Sequence, residues 1–315
     1  MKRAAGDYHV HSTFSDGRDG LRELAESALA LGMSGIGFSD HCYTPHDTSY
    51  CMPASRLDDY IAECRALHDE YRGRLDILCG IEQDYFGGRA DSRHDYVIGS
   101  VHYLPAGDVP LAIDEGADEL TALTERYYGG DILSAAECYF SLVAEVGTVT
   151  GAGIVGHFDL ITKYIERGIA LDTSSPRYRS AWQSAADRLI SEGLIFEINT
   201  GAISRGYRSS PYPSEEMVEY IAAHGGRFIL SSDSHRTDTL CYGFEECRDA
   251  FCARYGERSR ELLLESPLSG GAVDSALICL AVYRVSNKKQ GTAMHGDKHC
   301  CALRVGTVKA CFCDI

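Results

Sequence analysis

Imidazoles and carboxylates recur along this 315-residue chain in a pattern that suits metal ligation. His9-Val10-His11 is followed by Asp16, Asp40 precedes His41, and Glu82, His102, His157 and the run Asp233-Ser234-His235 come later. On an extended strand, His-x-His places both rings on one face, because side chains alternate with a period of two. Two such rings can grip one ion, and Asp233-x-His235 repeats the spacing. Glu82 has two oxygens and suits a bridge between ions. These donor types accept Zn, Fe and Mn. Nine of them, His9, His11, Asp16, His41, Glu82, His102, His157, Asp233 and His235, exceed the needs of a single tetrahedral ion. Two or three divalent ions are therefore expected. Bound metal lowers the pKa of water to about 7 and offsets charge developing on a phosphoryl group, so hydrolysis is the chemistry such a cluster performs.

The elements that must position these residues can be read from periodicity. Apolar runs at 36–39, 75–81, 96–101, 154–156, 194–198 and 227–231 read as strands, after a short start strand before His9. Helical patterns lie between them, at 57–71, 132–146, 178–190 and 214–224, and another runs from Leu21 to Leu31 with Gly32 as its stop. Alternating strands and helices indicate a parallel sheet. Six or seven such units over roughly 260 residues favour a closed barrel over an open sheet. Ligand-type residues follow six of the strands, and in a parallel barrel those ends share one rim. A lone buried histidine is more often a hydrogen-bonded core residue; the repetition at strand ends argues for ligation here. His46, His68, His94, His224, His295 and His299 lack that setting.

Composition narrows the function further. The net charge of −16 argues against nucleic-acid partners, which need basic surface. A small phosphorylated substrate would instead meet positive charge concentrated at the ions. There is no run long and apolar enough for a membrane span and no apolar stretch behind the N-terminal Lys2 and Arg3, so neither a span nor a signal peptide is expected. The 13 cysteines then read as free thiols of a cytoplasmic protein. The expected division is a catalytic domain at 1–268 and a Cys-rich extension at 269–315. The extension carries Cys279, Cys300, Cys301, Cys311 and Cys313 with His295 and His299, but no Cys-x-x-Cys.

Taken as a set, Asp7-Tyr8-His9-Val10-His11-Ser12, Phe38-Ser39-Asp40-His41, Gly99-Ser100-Val101-His102, Gly156-His157-Phe158-Asp159 and Ser232-Asp233-Ser234-His235 resemble the PHP superfamily (polymerase and histidinol phosphatase). Asp159-Leu160-Ile161-Thr162-Lys163-Tyr164, Glu197-Ile198-Asn199-Thr200, Tyr212-Pro213-Ser214 and the Tyr127-Tyr128-Gly129-Gly130 run leading to Tyr139 are similar to its histidinol-phosphatase branch. The resemblance spans residues 6–260 and implies a distorted (β/α)7 TIM-like barrel with a trinuclear site at the C-terminal strand ends. It implies one ion on His9, His11, Glu82 and Asp233, a second on Glu82, His102 and His157, and a third on Asp16, His41 and His235. Asp16 stands in a region where many relatives have a histidine. The implied activity is hydrolysis of L-histidinol phosphate to L-histidinol and phosphate, in histidine biosynthesis. Alternatives are a phosphoesterase acting on a nucleotide or another small ester, a metal-dependent amide hydrolase, and a non-catalytic metal-binding module.

Other residues gain roles in that context. A leaving alkoxide needs a proton, from Asp233, from His235 or from water. Arg205, in Ile203-Ser204-Arg205-Gly206, resembles the branch's phosphate-binding group, since guanidinium donates two parallel hydrogen bonds. Arg208 and Lys163 are further candidates for substrate binding. Asp84, Asp114 and Glu115 are candidates for an acidic wall facing a cationic leaving group.

Overall fold

The computed structural model describes residues 6–268 of a chain that divides into two units, Met1–Gly270 and Gly271–Ile315. The expected Cys-rich extension at 269–315 lies outside the described residues. Seven parallel strands form one curled sheet in the order β1 (Gly35–Phe38), β2 (Asp76–Asp84), β3 (Tyr96–Ser100), β6 (Ile154–Val155), β7 (Ile195–Asn199), β8 (Arg227–Ser231) and β9 (Leu263–Leu264). A small antiparallel ribbon, β4 (Tyr103–Leu104) and β5 (Leu111–Ala112), stands apart. The start segment is not a full strand, but its bonds reach both β1 and the chain just beyond β8. The amide of Asp7 donates to Gly35 and that of Ser39 to Val10, while His11 donates to Ser234 and Ser234 to His9.

Alternation along the strands separates two surfaces. Ile77, Cys79, Val155, Phe196 and Phe228 pack outward under helices. The helix Leu57–Tyr71, found where its periodicity predicts, buries Tyr60, Cys64 and Leu67 there. The helices Ile132–Val143 and Pro176–Ser191 bury Tyr139, Phe140, Trp182 and Leu189 on the other flank. The intervening residues Leu78, Ile98, Ile154, Ile195 and Ile229 cluster with Tyr8 and Tyr96 within the curl. Two glycines make room for this inner cluster: a Cβ on Gly37 or Gly80 would lie 2.3 Å or 2.2 Å from atoms of the Tyr96 side chain. Counting by twos from these inner residues leads from Leu78 to Glu82, from Ile98 to His102, from Ile195 to Glu197 and from Ile229 to Asp233. The inner face thus turns from apolar to ligand-bearing as the strands run toward their carboxyl ends.

Several elements differ from the periodicity reading. β2 continues to Asp84, so Glu82 lies inside a strand and not beyond its end. The apolar count stopped at Ile81 because Glu82, Gln83 and Asp84 are polar, yet all three are buried. β4, β5, β9 and the helices Ala117–Tyr127 and Phe244–Tyr255 had no distinct signal. Among the described residues, no helix is long and apolar enough to cross a membrane, and Cys42, Cys51, Cys64, Cys79, Cys138, Cys247 and Cys252 are free thiols.

Candidate metal centre

Buried carboxylates fix the backbone that presents the first histidines. Asp40 accepts from the amides of Ser12 and Ser15 at 2.8 and 3.0 Å, and from both of their hydroxyls, pinning the turn between His11 and Asp16. Asp7 accepts from the amides of Ser232 and Cys241, tying the start segment to the chain beyond β8. Asp233 follows β8 with a φ of 52°, a left-handed conformation that aspartate tolerates better than bulkier residues.

All nine sequence-designated side chains meet in one place, with Glu82 at the centre. Its Oε2 lies 3.3 Å from His9 Nε2, 3.6 Å from His11 Nε2 and 2.8 Å from His41 Nδ1. Its Oε1 lies 2.9 Å from His157 Nε2 and 3.4 Å from His102 Nε2. Asp233 Oδ1 is 3.4 Å from His11 Nε2, and Asp16 is 3.7 Å from His41 and 3.3 Å from His235. Three groups have ligand atoms within 4.8 Å of one another: His11, Asp16, His41 and His235; His9, His11 and Asp233; and His41, Glu82 and His102. The division implied by the resemblance differs in three respects. Glu82 is not in the group of His9, His11 and Asp233, and His11 joins Asp16, His41 and His235. His41, not His157, groups with Glu82 and His102, and His157 joins through Glu82 Oε1 alone.

The donor set fits divalent cations on evidence internal to this site. His9 Nε2 and both ring nitrogens of His11 are buried without a hydrogen-bond partner among the described residues. Leaving a buried polar group unpaired costs about 1–3 kcal/mol, and a cation would satisfy these lone pairs together. Burial and the neighbouring His235 and His41 rings pull His11 down to about 3, so it is a neutral donor at neutral pH. Burial also opposes charge on His102, but Glu82 and Asp84 outweigh it and raise that histidine to about 9. Burial would raise Glu82, yet His9, His41 and His102 hold it well below the carboxylate range. Glu82 therefore remains an anion that attracts cations, whether protons on the rings or metal in their place.

Two carboxylates orient the rings. Glu197 Oε1 lies 2.7 Å from His9 Nδ1, while its Oε2 accepts from the His157 amide at 3.0 Å. Asp84 Oδ2 lies 3.2 Å from His102 Nδ1 and accepts from its amide. Such partners fix the tautomer and direction of a ligating imidazole. Asp84 is thus turned to His102 and is absent from the cavity wall expected of it. A charged residue inside an apolar strand, Ile195-Phe196-Glu197-Ile198, was the available signal for Glu197.

The cluster opens into a cavity of about 320 Å³. Lys163 lines it, donating to the Asp114 carbonyl at 2.8 Å, with its carboxylate 3.2 Å away. Arg205 stands at the mouth and donates to Asp233 Oδ2 and to the Asp233 carbonyl at 2.8 and 2.7 Å. Asp114 and Glu115 are on the wall, joined by Asp47 and the tyrosines Tyr50, Tyr103 and Tyr212, which periodicity could not single out. The structure does not bring Arg208 to this cavity. Its guanidinium turns away to Thr162, at 2.7 Å, and Asp159, at 3.4 Å, because Asp159 is buried on that side.

Known proteins match this chain in sequence and fold. A family model described as PHP domain matches residues 7–201. The "Probable histidinol-phosphatase" of Deinococcus radiodurans is 32% identical over 254 residues, 76% of this chain and 90% of that protein. The "Histidinol-phosphatase" of Bacillus subtilis is 26% identical over 268 residues, 76% of this chain and 96% of that protein. Among solved structures, the histidinol phosphate phosphatase of Lactococcus lactis, a complex with Zn, L-histidinol and phosphate, superposes with a TM-score of 0.60 at 22% identity, covering 81% of this chain and 95% of that one. With a family match over most of its length, this chain belongs to the PHP domain family.

Proposed function

We propose that the chain is a metal-dependent phosphomonoesterase that hydrolyses L-histidinol phosphate to L-histidinol and phosphate. The observation that carries this reading is the meeting of nine ligand-type side chains, seven of which line one cavity together with Arg205 and Lys163. The names of the relatives supply the substrate. The finer architecture we assign is a distorted seven-fold barrel with the ions at its C-terminal rim. His9, His11 and Asp233 would hold one ion, Glu82 and His102 with His157 or His41 a second, and Asp16, His41 and His235 a third, of Zn, Fe or Mn.

Divalent ions, when bound, supply Lewis-acid neutralisation of the phosphoryl oxygens and lower the pKa of water toward neutrality. The protein's own groups do the rest. Arg205 and Lys163 flank the cavity and can each donate to a phosphoryl oxygen. Burial favours a neutral Asp233, but Arg205 and the adjacent histidines hold it well below the carboxylate range. It has no proton to give at neutral pH, so His235 or water protonates the leaving alkoxide. Asp47, Asp114 and Glu115, with Tyr50 and Tyr103, give the wall an acidic and aromatic character that suits an amine and an imidazole. The test is phosphate release by the purified, metal-loaded protein from L-histidinol phosphate and from a nucleoside monophosphate in parallel. The first should be turned over with kcat/KM at least about 10⁴ M⁻¹s⁻¹, within the ordinary enzymatic range. Preference for the nucleotide would reject the substrate assigned here.

A further inference from the structure

We propose that this protein has a second binding site, for a small organic ammonium ion, in a cleft centred on Asp159. The cleft measures about 270 Å³, below the span of roughly 300–1,000 Å³ typical of pockets for drug-sized ligands. It shares no lining residue with the metal cavity. Asp159 and Tyr178 line it, each only 1% exposed. Asp159 Oδ2 is well supplied, by Arg208, Thr162 and the Ser214 amide. Its Oδ1 accepts from nothing among the described residues, and the Tyr178 hydroxyl has no partner either. Native proteins satisfy nearly all buried polar atoms, so two unsatisfied atoms on residues that line one cleft point to a partner that comes from outside the chain.

The lining says what that partner is. A carboxylate oxygen can only accept, so the ligand must donate. Glu166 and Glu216 also line the cleft; Glu216 pairs with Arg179 at 3.0 Å, which leaves Asp159 and Glu166 against the guanidinium of Arg208. That guanidinium is engaged by Thr162 and Asp159 and lies 4.4 Å above the Tyr212 ring, which leaves little to attract an anion. A metal ion is a poorer fit, because these carboxylates are not among the described groups whose ligand atoms gather within 4.8 Å. Trp182 and Ile165 add apolar surface for a short hydrocarbon body. A primary amine meets each demand: its N–H groups donate to Asp159, its charge suits the acids, and its carbon body lies on the apolar side. The proposal does not depend on the phosphatase reading.

The test is calorimetric titration of the full-length, metal-loaded protein with 2-phenylethylamine, with 2-phenylethanol as the uncharged control. The amine should bind at least about tenfold more tightly than the alcohol, the scale of one charge-assisted hydrogen bond. Asp159→Asn and Tyr178→Phe should each weaken it several-fold, whereas Asp114→Asn in the metal cavity should not. Should Asp159→Asn fail to fold, Tyr178→Phe and Glu166→Gln carry the test, since the first removes a single oxygen and the second is isosteric. The proposal is overturned by no detectable amine binding, by equal binding of the alcohol, by binding that survives both Tyr178→Phe and Glu166→Gln unchanged, or by loss of binding in Asp114→Asn.

Discussion

Arg205 and Arg208 lie three residues apart, and each clasps a buried aspartate, yet the two aspartates are shifted in opposite directions. Asp233, held by Arg205 at 2.8 Å, is kept well below the carboxylate range. Asp159, held by Arg208 at 3.4 Å, is raised, because burial outweighs its arginine. The difference is in the surroundings. Asp233 also faces His9, His11 and His235, whereas the cleft around Asp159 contains further acids and no imidazole. An arginine partner alone does not set the direction in which a buried carboxylate shifts; the summed local field does. One pair therefore serves a cationic centre, and the other serves the fold and the second cleft.

The comparison breaks most visibly at the aspartates. Asp233→Asn should lower kcat/KM on L-histidinol phosphate by about 10²–10³-fold or more, the scale of one lost electrostatic stabiliser. Asp159→Asn should instead show its cost in thermal stability, at about 1–3 kcal/mol for a disturbed buried hydrogen-bond network. Equal kinetic losses in the two variants would mean that both pairs serve the reaction. The next effect concerns how the rings are held. Glu197→Gln should weaken metal binding by about 10–100-fold in competition with a chelator, because His9 loses the carboxylate that orients it. Unchanged affinity would remove Glu197 from that role. The arginines give the smallest separation. Arg205→Ala should raise KM about tenfold or more, for one lost hydrogen bond to a charged group, with a smaller change in kcat. Arg208→Ala should mainly lower Tm, by roughly 2–4 °C for each kcal/mol lost in a domain of this size. A raised KM in Arg208→Ala with no change in Tm would reverse the assignment of the two arginines.

The convergence of the nine designated side chains was legible in the sequence because its signals are local. Histidines stand directly beyond apolar runs, and alternation puts His9 beside His11 and Asp233 beside His235. The helix Leu57–Tyr71 was legible for a similar reason, since its buried residues keep a strict helical spacing. What stayed hidden depends on contacts between distant segments. Glu197 and His9 are 188 residues apart, and nothing near either one announces the 2.7 Å contact. Asp84 read as a wall residue because its strand runs three buried polar residues past its last apolar one. Arg208 read as a phosphate ligand because it sits near Arg205 in sequence; the side on which Asp159 is buried decided otherwise.

The central claim is that these imidazoles and carboxylates act through bound divalent cations on a phosphate ester. Its most direct test is phosphate release from L-histidinol phosphate by protein stripped with a chelator, followed by stepwise return of Zn or Mn with metal content measured at each step. The account predicts no turnover in the stripped protein and recovery that rises with the metal bound. Full turnover by protein shown to be metal-free would contradict it.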